Sequence, residues 1–264
     1  MPALQNGSRG DDVKRLQGAL QQRGFYTGII DGSFDGGTET AVRNFQTSRG
    51  LQSDGVAGVI TKAALGIIVP KGPDVTDAVT VDKAMTMMPD TSRRNVTTHL
   101  PNVLAALKAA ELNDRSMVLM AIATIYVETG QFAPLVEFQG DSNTSPGGHP
   151  YDRYDNRSDL GNRGAPDGNT FKGRGFVQVT GRNNYAKYGP LVGADLIAQP
   201  DLALDSVIAS KILAAYLKSV ETAVRVATAE RSLEDMRRTV NGGINGLDMF
   251  SRAYTRGEGL FPAS

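Results

Sequence analysis

Cysteine and tryptophan are absent from this chain of 264 residues, and histidine occurs only as His99 and His149. Without cysteine the protein cannot form disulfides, and hydrolases that use a thiolate nucleophile are excluded. The two histidines do not have the spacing of metal ligands, so we expect no metal site.

The chain also lacks an excess charge of either sign. Its 28 Lys+Arg balance 28 Asp+Glu, so we predict neither nucleic acid nor an anionic membrane as a partner. No apolar run is long enough to span a membrane, and the opening residues MPALQNGSRG lack the apolar segment of a signal peptide. We therefore expect synthesis in the cytoplasm without a secretory leader. The length allows two domains.

The segment 116–184 organises the larger part of the chain. Val118, Ala121 and Ile125 recur at helical spacing and predict a helix with one face on a core. That helix carries Glu128 in its last turn and stops at Gly130, where glycine favours a left-handed cap. A carboxyl at the negative end of a buried helix favours its protonated form, which is the property that a general acid needs.

A polar loop of about 133–172 follows this helix. A loop of that length is either disordered or functional, and its position directly after Glu128 favours a functional role. The loop contains six carboxylates, and we expect most of them to be solvated or to cap local turns and helices. They are Glu137, Asp141, Asp152, Asp155, Asp159 and Asp167. The near-alternating residues that come next predict a short strand or hairpin arm that carries Gln178 and Thr180 on one face.

The first 69 residues contain a repeated turn, DGSFDGGT at 31–38 and DGVAGVIT at 54–61. Two helical patterns accompany the turns, so we predict a three-helix bundle with Phe34 and Phe45 in its core. The first turn resembles the start of a calcium loop. Its twelfth position is Val42 rather than glutamate, which argues against calcium.

Residues 13–65 resemble the peptidoglycan-binding domain type 1 family. The shared elements are Leu-Gln, Gly-Phe-Tyr, Asp-Gly-x-Phe, Ala-Val-x-x-Phe-Gln and Asp-Gly-x-x-Gly, in that order. The resemblance implies a noncatalytic module that binds the bacterial cell wall. A shallow groove near Tyr26, Asp31 and Asp54 is our candidate for the binding surface.

Two prolines and a glycine near 70–74 interrupt the helical pattern and predict a stiff linker. We place a peptidoglycan-binding domain at 1–69, the linker at 70–80 and a catalytic domain at 81–264. The predicted fold class is mainly α, with a three-helix bundle joined to a larger lysozyme-like domain that contains a short β hairpin.

The second domain resembles the family 19 glycoside hydrolases, within the lysozyme-like fold. The matching motifs are YVETGQF at 126–132, YDNRSDLGN at 154–162, FKGRGFVQVTGRNNYAKYG at 171–189 and NGGINGL at 241–247. The order of the two modules resembles that of endolysins from phages of Gram-negative bacteria. A bacterial autolysin of the same design is an alternative.

The resemblance implies roles for individual residues. Glu128 matches the general acid, and Thr180 matches the hydroxyl residue that helps to hold the attacking water. The substrate-binding matches are Gln178, Asn184 (or its neighbour Asn183), Asn241 and Tyr154. For the general base we predict Glu137, and Asp152 or Asp155 are alternatives.

These features together predict a peptidoglycan hydrolase, an endolysin that cleaves β-1,4 glycosidic bonds with inversion and lyses the host cell. No cofactor is required, because two carboxyl side chains can make both proton transfers. We expect a monomer that does not insert into membranes, acts on peptidoglycan in the periplasm and depends on a holin-type permeabilising partner. A chitinase and a noncatalytic wall-binding protein are the alternatives.

Overall fold

The computed structural model of this chain describes residues 3–67 and 71–261. Within that part the protein contains thirteen α-helices and one two-stranded antiparallel sheet. The predicted fold class, mainly α with a short β element, is confirmed. None of the described helices has the length and apolar character needed to cross a membrane.

The helices fall along the chain as follows: α1 Asp11–Gln22, α2 Gly36–Ser48, α3 Val59–Ala64, α4 Val81–Met87, α5 Arg93–Ala109, α6 Arg115–Thr129, α7 Asp152–Asp155, α8 Asp167–Thr170, α9 Arg182–Val192, α10 Ser206–Ser219, α11 Glu221–Ala229, α12 Leu233–Asn241 and α13 Leu247–Leu260. The strands are β1 Leu135–Val136 and β2 Arg174–Gly175.

The chain divides into two compact units, and the division differs from the one that we predicted. The first unit contains Met1–Lys71 and also Val220–Leu247, and the second contains Gly72–Ser219 and Asp248–Ser264. Helices α11 and α12 therefore group with the N-terminal helices. The predicted boundary at residues 69 and 70 lies outside the described residues.

Helix α11 joins the first unit because it packs against α3. Lys62 of α3 is fully buried, and its ammonium pairs with Glu230, whose side chain is also buried. Burial raises the pKa of Glu230, and the contact with Lys62 opposes that rise. A pair of charges removed from water needs close mutual contact, so it fixes how the two helices meet.

The core of the first unit is formed by α1, α2 and the turns between the helices. Phe34 and Phe45 are buried, as predicted, together with Leu16, Leu20 and Val42. The side chain of Asp35 accepts a hydrogen bond from Thr38 N at 2.8 Å and so caps α2.

Two buried glutamines hold the repeated turns in the same way. Gln17 Oε1 accepts from Gly32 N at 2.9 Å, and its Nε2 lies within 3.1 Å of both Asp31 Oδ1 and Ser33 O. The hydroxyl of Thr38, which opens the next helix, lies 3.2 Å from the same nitrogen.

Gln46 repeats this arrangement at the second turn. Its Oε1 accepts from Gly55 N at 2.9 Å, and its Nε2 lies 2.7 Å from Asp54 Oδ1 and 3.0 Å from Val56 O. Thr61 Oγ1 is 3.1 Å away. The repeat that is visible in the sequence is therefore a repeated hydrogen-bond network, and a buried glutamine stands at the centre of each copy.

Helix α6 is the central helix of the second unit. Every residue from Met117 to Tyr126 is buried, so the helix packs on all sides rather than along the single apolar face that we predicted. Thr124 is the one polar side chain in that run and is also buried. Such a helix fixes the position of whatever lies at its end.

Strands β1 and β2 pair with Leu135 opposite Gly175 and Val136 opposite Arg174. After β2 the backbone turns back within a few residues, and Arg174 and Val179 exchange backbone hydrogen bonds of 3.2 and 2.9 Å. Gln178 lies in this turn with φ of 49°. The predicted strand that displays Gln178 and Thr180 on one face is therefore wrong, because a left-handed residue interrupts the alternation.

Candidate active site

Glu128 lies half-buried in the last turn of α6. The helix ends at Gly130, which adopts the left-handed conformation with φ of 63°, as predicted. The neighbouring Thr129 donates to Ile125 O at 2.9 Å and accepts from Phe132 N at 3.1 Å. These contacts turn the chain from α6 towards β1.

Glu137 follows β1 directly and is held against the segment that precedes β2. Its backbone N–H donates to Gly173 O at 2.8 Å. Gly173 N donates in return to the side-chain oxygen Oε2 of Glu137 at 3.0 Å. The end of the small sheet thus positions both the backbone and the carboxylate of Glu137.

Two side chains from the polar loop bind the other carboxylate oxygen of Glu137. Asn143 Nδ2 donates to Oε1 at 2.9 Å, and the Tyr154 hydroxyl donates to the same atom at 2.6 Å. With Gly173 N, the carboxylate has three donors. A donor set of this kind is what an ionised carboxylate accepts.

Asn143 is buried and uses its whole amide. Its Nδ2 also donates to Phe138 O at 2.8 Å, and its Oδ1 accepts from Gly140 N and from the Thr144 hydroxyl, each at 3.0 Å. The Asn143 side chain therefore holds the loop around Glu137 together. The sequence did not predict this role for Asn143.

Two tyrosines support the same loop. Tyr151 donates its hydroxyl to Glu137 O at 2.6 Å, and burial raises the pKa of that phenol. Burial, together with the hydrogen bond to Glu137, also raises the pKa of Tyr154. Both phenols consequently stay protonated and act as donors near neutral pH. We predicted that Tyr154 binds substrate, and the structure adds its contact with the Glu137 carboxylate.

Gln178, Thr180 and Asn184 are linked in a chain of hydrogen bonds. Gln178 Nε2 donates to Leu135 O at 3.2 Å and to Gly175 O at 3.0 Å. Thr180 donates its hydroxyl to Gln178 O at 2.9 Å, and Asn184 Nδ2 donates to Thr180 O at 2.8 Å. The turn thus places the Gln178 side chain against β1, next to Glu137. Asn183, which precedes Asn184 in the chain, is exposed.

Arg174 supports this turn from the protein interior. It is buried, and its guanidinium donates to Asp201 Oδ1 at 2.8 Å and to both Thr170 O and the Tyr185 hydroxyl at 2.9 Å. Burial raises the pKa of Tyr185 to about 12. Burial and the neighbouring Arg174 lower the pKa of Lys172, whose ammonium lies 4.9 Å from the centre of the Tyr151 ring.

The alternative bases make contacts within the loop itself. Asp152 Oδ1 accepts from Ser145 N at 2.7 Å, and this backbone hydrogen bond lowers the pKa of Asp152. Asp155 is buried, accepts from Gly168 N at 2.9 Å and lies 2.9 Å from His149 Nε2. Both carboxylates stabilise the fold of the loop.

Asn241 is in a different part of the structure from these residues. It is the last residue of α12, it is exposed, and it belongs to the first unit, whereas Glu137 and Gln178 belong to the second. The predicted role of Asn241 in binding substrate stays a prediction.

The proposed wall-binding residues lie in the first unit. A groove of about 600 Å³ is lined by Tyr26, Asp31 and neighbouring residues. Tyr26 donates to Ile29 O at 2.9 Å, and the Ser33 backbone N–H lowers the pKa of Asp31. Asp54 is not among the residues that line this groove; it serves the network around Gln46.

Across the described residues, no group of three or more histidine, cysteine, aspartate or glutamate side chains is arranged to bind a metal ion.

Comparison with known proteins relates the two parts of the chain to different relatives. Residues 9–65 match the protein family described as "Putative peptidoglycan binding domain". The spore cortex-lytic enzyme of Bacillus cereus is 52% identical over 62 residues, which cover 24% of this chain and 24% of that enzyme.

A "Glycosyl hydrolase family 19 domain-containing protein" of Haemophilus influenzae is 35% identical over 101 residues, or 38% of this chain and 48% of that protein. The chain thus spans only a quarter to a half of these curated relatives. The solved structure of a bacterial family 19 chitinase matches 70% of this chain and 96% of its own, with a TM-score of 0.53 and 24% identity. At this level of sequence identity the match shows a similar fold and nothing about activity.

Proposed function

We propose that this chain, which joins a peptidoglycan-binding module at residues 9–65 to a domain with the fold of the family 19 chitinases, is a peptidoglycan hydrolase. It cleaves β-1,4 glycosidic bonds of the wall glycan by general acid and base catalysis. The observation that carries the proposal is the Glu137 carboxylate, which three donors hold beside the turn of Gln178.

In the proposed reaction Glu128 is the general acid. Hydrolysis of a glycoside requires one protonated and one ionised carboxyl on either side of the scissile bond. Glu128 lies half-buried at the end of the central buried helix, which supports a fixed position for its proton. It protonates the glycosidic oxygen as the bond breaks.

Glu137 is the proposed general base. Its carboxylate is held by three donors beside the turn of Gln178, whereas Asp152 accepts from Ser145 N, and Asp155 is buried between Gly168 N and His149 within the loop. Glu137 removes a proton from the water that attacks the anomeric carbon. Inversion follows if the carboxyl groups stand roughly 6.5–9.5 Å apart, because a water then fits between them.

The test of the acid is the variant Glu128→Gln. We expect lysis of purified walls to disappear while Tm and wall binding stay at their wild-type values. NMR of the first product anomer tests inversion, and mass spectrometry of the released muropeptides identifies which sugar carries the new reducing end. Wall clearing by Glu128→Gln at the wild-type rate would remove Glu128 from the proposal.

Chitin is the second candidate substrate, because most of the chain shares its fold with a family 19 chitinase. The match of residues 9–65 to a peptidoglycan-binding family favours the bacterial wall. Reducing-sugar assays on purified walls and on chitin separate the two. We expect release from walls, and release from chitin alone would make the protein a chitinase.

The wider proposal is that the protein acts as a monomeric endolysin, with access to the periplasmic wall through a membrane-permeabilising, holin-type partner. Lysis of cells only when such a partner is co-expressed would support it. A zymogram tests the noncatalytic alternative, since a folded protein without a clearing band would be a wall-binding protein only.

A further inference from the structure

We propose that Phe138 is a substrate-binding residue whose ring stacks on the apolar face of one sugar of the glycan, next to the carboxylate of Glu137. The inference rests on the proposed function, with Glu137 as the base. Phe138 takes no part in the proton transfers. It determines how tightly the glycan is held beside the residue that does.

Phe138 is the one exposed aromatic ring in the part of the chain that the structure describes. The chain contains eight tyrosines and nine phenylalanines, and every other one of them is buried or half-buried. Phe138 is 83% exposed, which is the largest value among the exposed large apolar side chains of the described residues. The protein thus buries its aromatic residues consistently and makes an exception at the residue after Glu137.

The backbone is fixed on both sides of Phe138. Glu137 N donates to Gly173 O at 2.8 Å, and Glu137 O accepts from the Tyr151 hydroxyl at 2.6 Å. Phe138 O accepts from Asn143 Nδ2 at 2.8 Å. Because peptide groups are planar, these contacts set the orientation of the peptide on each side of Phe138 and hence the direction of its Cα–Cβ bond. The exposure of the ring is therefore built into the folded loop.

The same contacts place the ring beside the proposed base. Consecutive Cα atoms are about 3.8 Å apart, so the Phe138 ring and the Glu137 carboxylate start from adjoining points of one fixed segment. Asn143 Nδ2 ties them further, since it donates both to Glu137 Oε1 and to Phe138 O. A glycan that brings its scissile bond to Glu137 consequently brings a sugar within reach of Phe138.

The surroundings of the ring indicate a sugar rather than a protein partner. Residues 139–142, Gln-Gly-Asp-Ser, are all exposed and none has an apolar side chain. Apolar protein interfaces are marked by contiguous patches of roughly several hundred Å², which one ring in a polar loop does not provide. A pyranose presents C–H groups on its faces and hydroxyls at its edge, and the electron-rich face of an aromatic ring attracts such C–H groups.

A contact of this kind should affect binding rather than the chemical step. Phenylalanine has two rotatable side-chain bonds, and its backbone is already fixed here, so stacking loses little conformational entropy. The sugar face stacks equally well before and during bond cleavage. Interactions that are equal in the ground state and the transition state lower KM without raising kcat.

The principal test uses the absence of tryptophan from the chain. Phe138→Trp introduces a single indole at this position, and Glu128→Gln in the same molecule prevents cleavage of the ligand. We expect peptide-free oligosaccharides of the wall glycan to shift the emission of this protein to shorter wavelength in a saturable titration, because a stacked sugar replaces water on one face of the indole. Unchanged emission at concentrations that saturate turnover by wild-type enzyme would overturn the inference.

Leu191→Trp in the same Glu128→Gln background is the matched control. Leu191 lies in α9 of the second unit, is apolar and is 63% exposed, so an indole there is also in contact with water. We expect no shift in its emission with the same oligosaccharides. An equal shift in both proteins would show unspecific adsorption of the glycan and would overturn the inference.

Steady-state kinetics on soluble oligosaccharides test whether a flat ring is needed. For Phe138→Ala we expect KM to rise by about 10-fold at unchanged kcat, because one face of a large apolar side chain no longer contacts the sugar. Phe138→Tyr should keep the wild-type KM. Phe138→Leu keeps apolar bulk without a flat face and should behave like Phe138→Ala; a wild-type KM for Phe138→Leu would overturn stacking.

The part of the wall that the ring binds is tested with two substrates. We expect the same rise in KM for Phe138→Ala on oligosaccharides with and without their stem peptides. A rise only on the peptide-bearing substrate would assign Phe138 to the peptide and overturn the inference.

The proposed function can fail separately. A wild-type protein that cleaves neither walls nor chitin would contradict it, and the Phe138→Trp titration, which needs no turnover, would still report glycan binding. Turnover by wild-type enzyme without any response at residue 138 would leave the proposed function intact and overturn the inference.

Discussion

The two units each bury a polar network inside a loop, and the networks differ in one respect. In the first unit Gln17 and Gln46 use both ends of their amides on neighbouring turns. In the second unit Glu137 is held just as firmly by Asn143 and Tyr154, but its Oε2 keeps an acceptor position. The first kind of network is closed and the second is open.

The difference separates a structural role from a chemical one. A buried polar group whose hydrogen bonds are all made inside the protein stabilises the fold and offers nothing to a ligand. A group that is held by several donors and still has one acceptor left can bind a further molecule without reorganising. Loss of the first kind should lower stability, and loss of the second should lower rate.

The largest expected effect is that of Glu137→Gln. An amide cannot take the proton of the water, and general base catalysis typically contributes 10²–10⁴-fold, so we expect kcat to fall by about that factor. Single-turnover assays on soluble oligosaccharides measure it, with Tm as the control for folding. Unchanged kcat would move the base to Asp152 or Asp155.

Next in size is Gln46→Leu, which breaks a closed network. It leaves Gly55 N and Val56 O without their buried partner. We expect a loss of about 2–3 kcal/mol in the free energy of unfolding, measured by denaturant titration, and weaker wall binding. Gln17→Leu should cost a similar amount because its contacts are the same. A clear difference between the two glutamines would contradict the equivalence of the two turns.

A smaller effect is expected for Tyr154→Phe, which removes one donor from the open network. A hydrogen bond to a charged group contributes about 1.5–3 kcal/mol, so a loss of roughly 10-fold in kcat is the expected minimum. Tyr151→Phe is the comparison, since Tyr151 donates to the backbone oxygen of Glu137 rather than to its carboxylate. If Tyr151→Phe lowers kcat more, the support of the loop matters more than the carboxylate contact.

The smallest effect concerns His99, which lies outside both networks. Its ring packs edge-on against Phe176, and its Nδ1 lies 2.8 Å from Ser206 Oγ. Burial lowers the pKa of His99 below its ordinary value of 6.5. The unfolded chain therefore binds a proton at His99 more readily than the folded protein does. The free energy of unfolding should be unaffected by His99 above pH 6.5 and should decrease as the pH falls below 6.5. Tm at pH 7.5 and 5.5 should differ less in His99→Gln than in wild type.

Much of the architecture could be predicted from short-range patterns. The apolar spacing before Glu128 predicted helix α6, and Gly130 predicted its end. The duplicated turns predicted the bundle around Phe34 and Phe45. These features depend on residues within one or two turns of each other, which a local pattern records.

Two of the three donors to Glu137 are too distant along the chain to be predicted in the same way. Tyr154 is 17 residues away and Gly173 is 36 residues away along the chain. A tyrosine or a glycine in a sequence does not by itself indicate a contact with a carboxylate. The loop that contains Tyr154 also has no regular spacing of apolar residues from which its fold could be predicted. Grouping of α11 and α12 with the first unit was missed for a similar reason, since the contact of Lys62 with Glu230 spans 168 residues.

By itself the sequence determined the helical class, the repeated turns and a glutamate at the end of a buried helix, because each is encoded by neighbours in the chain. Only the tertiary structure decided which loop carboxylate is left with an open acceptor, and that Gln178 and Gly173 stand beside it. The physical reason is that an acceptor position is defined by the donors around it, and here they arrive from separate elements that only folding brings together.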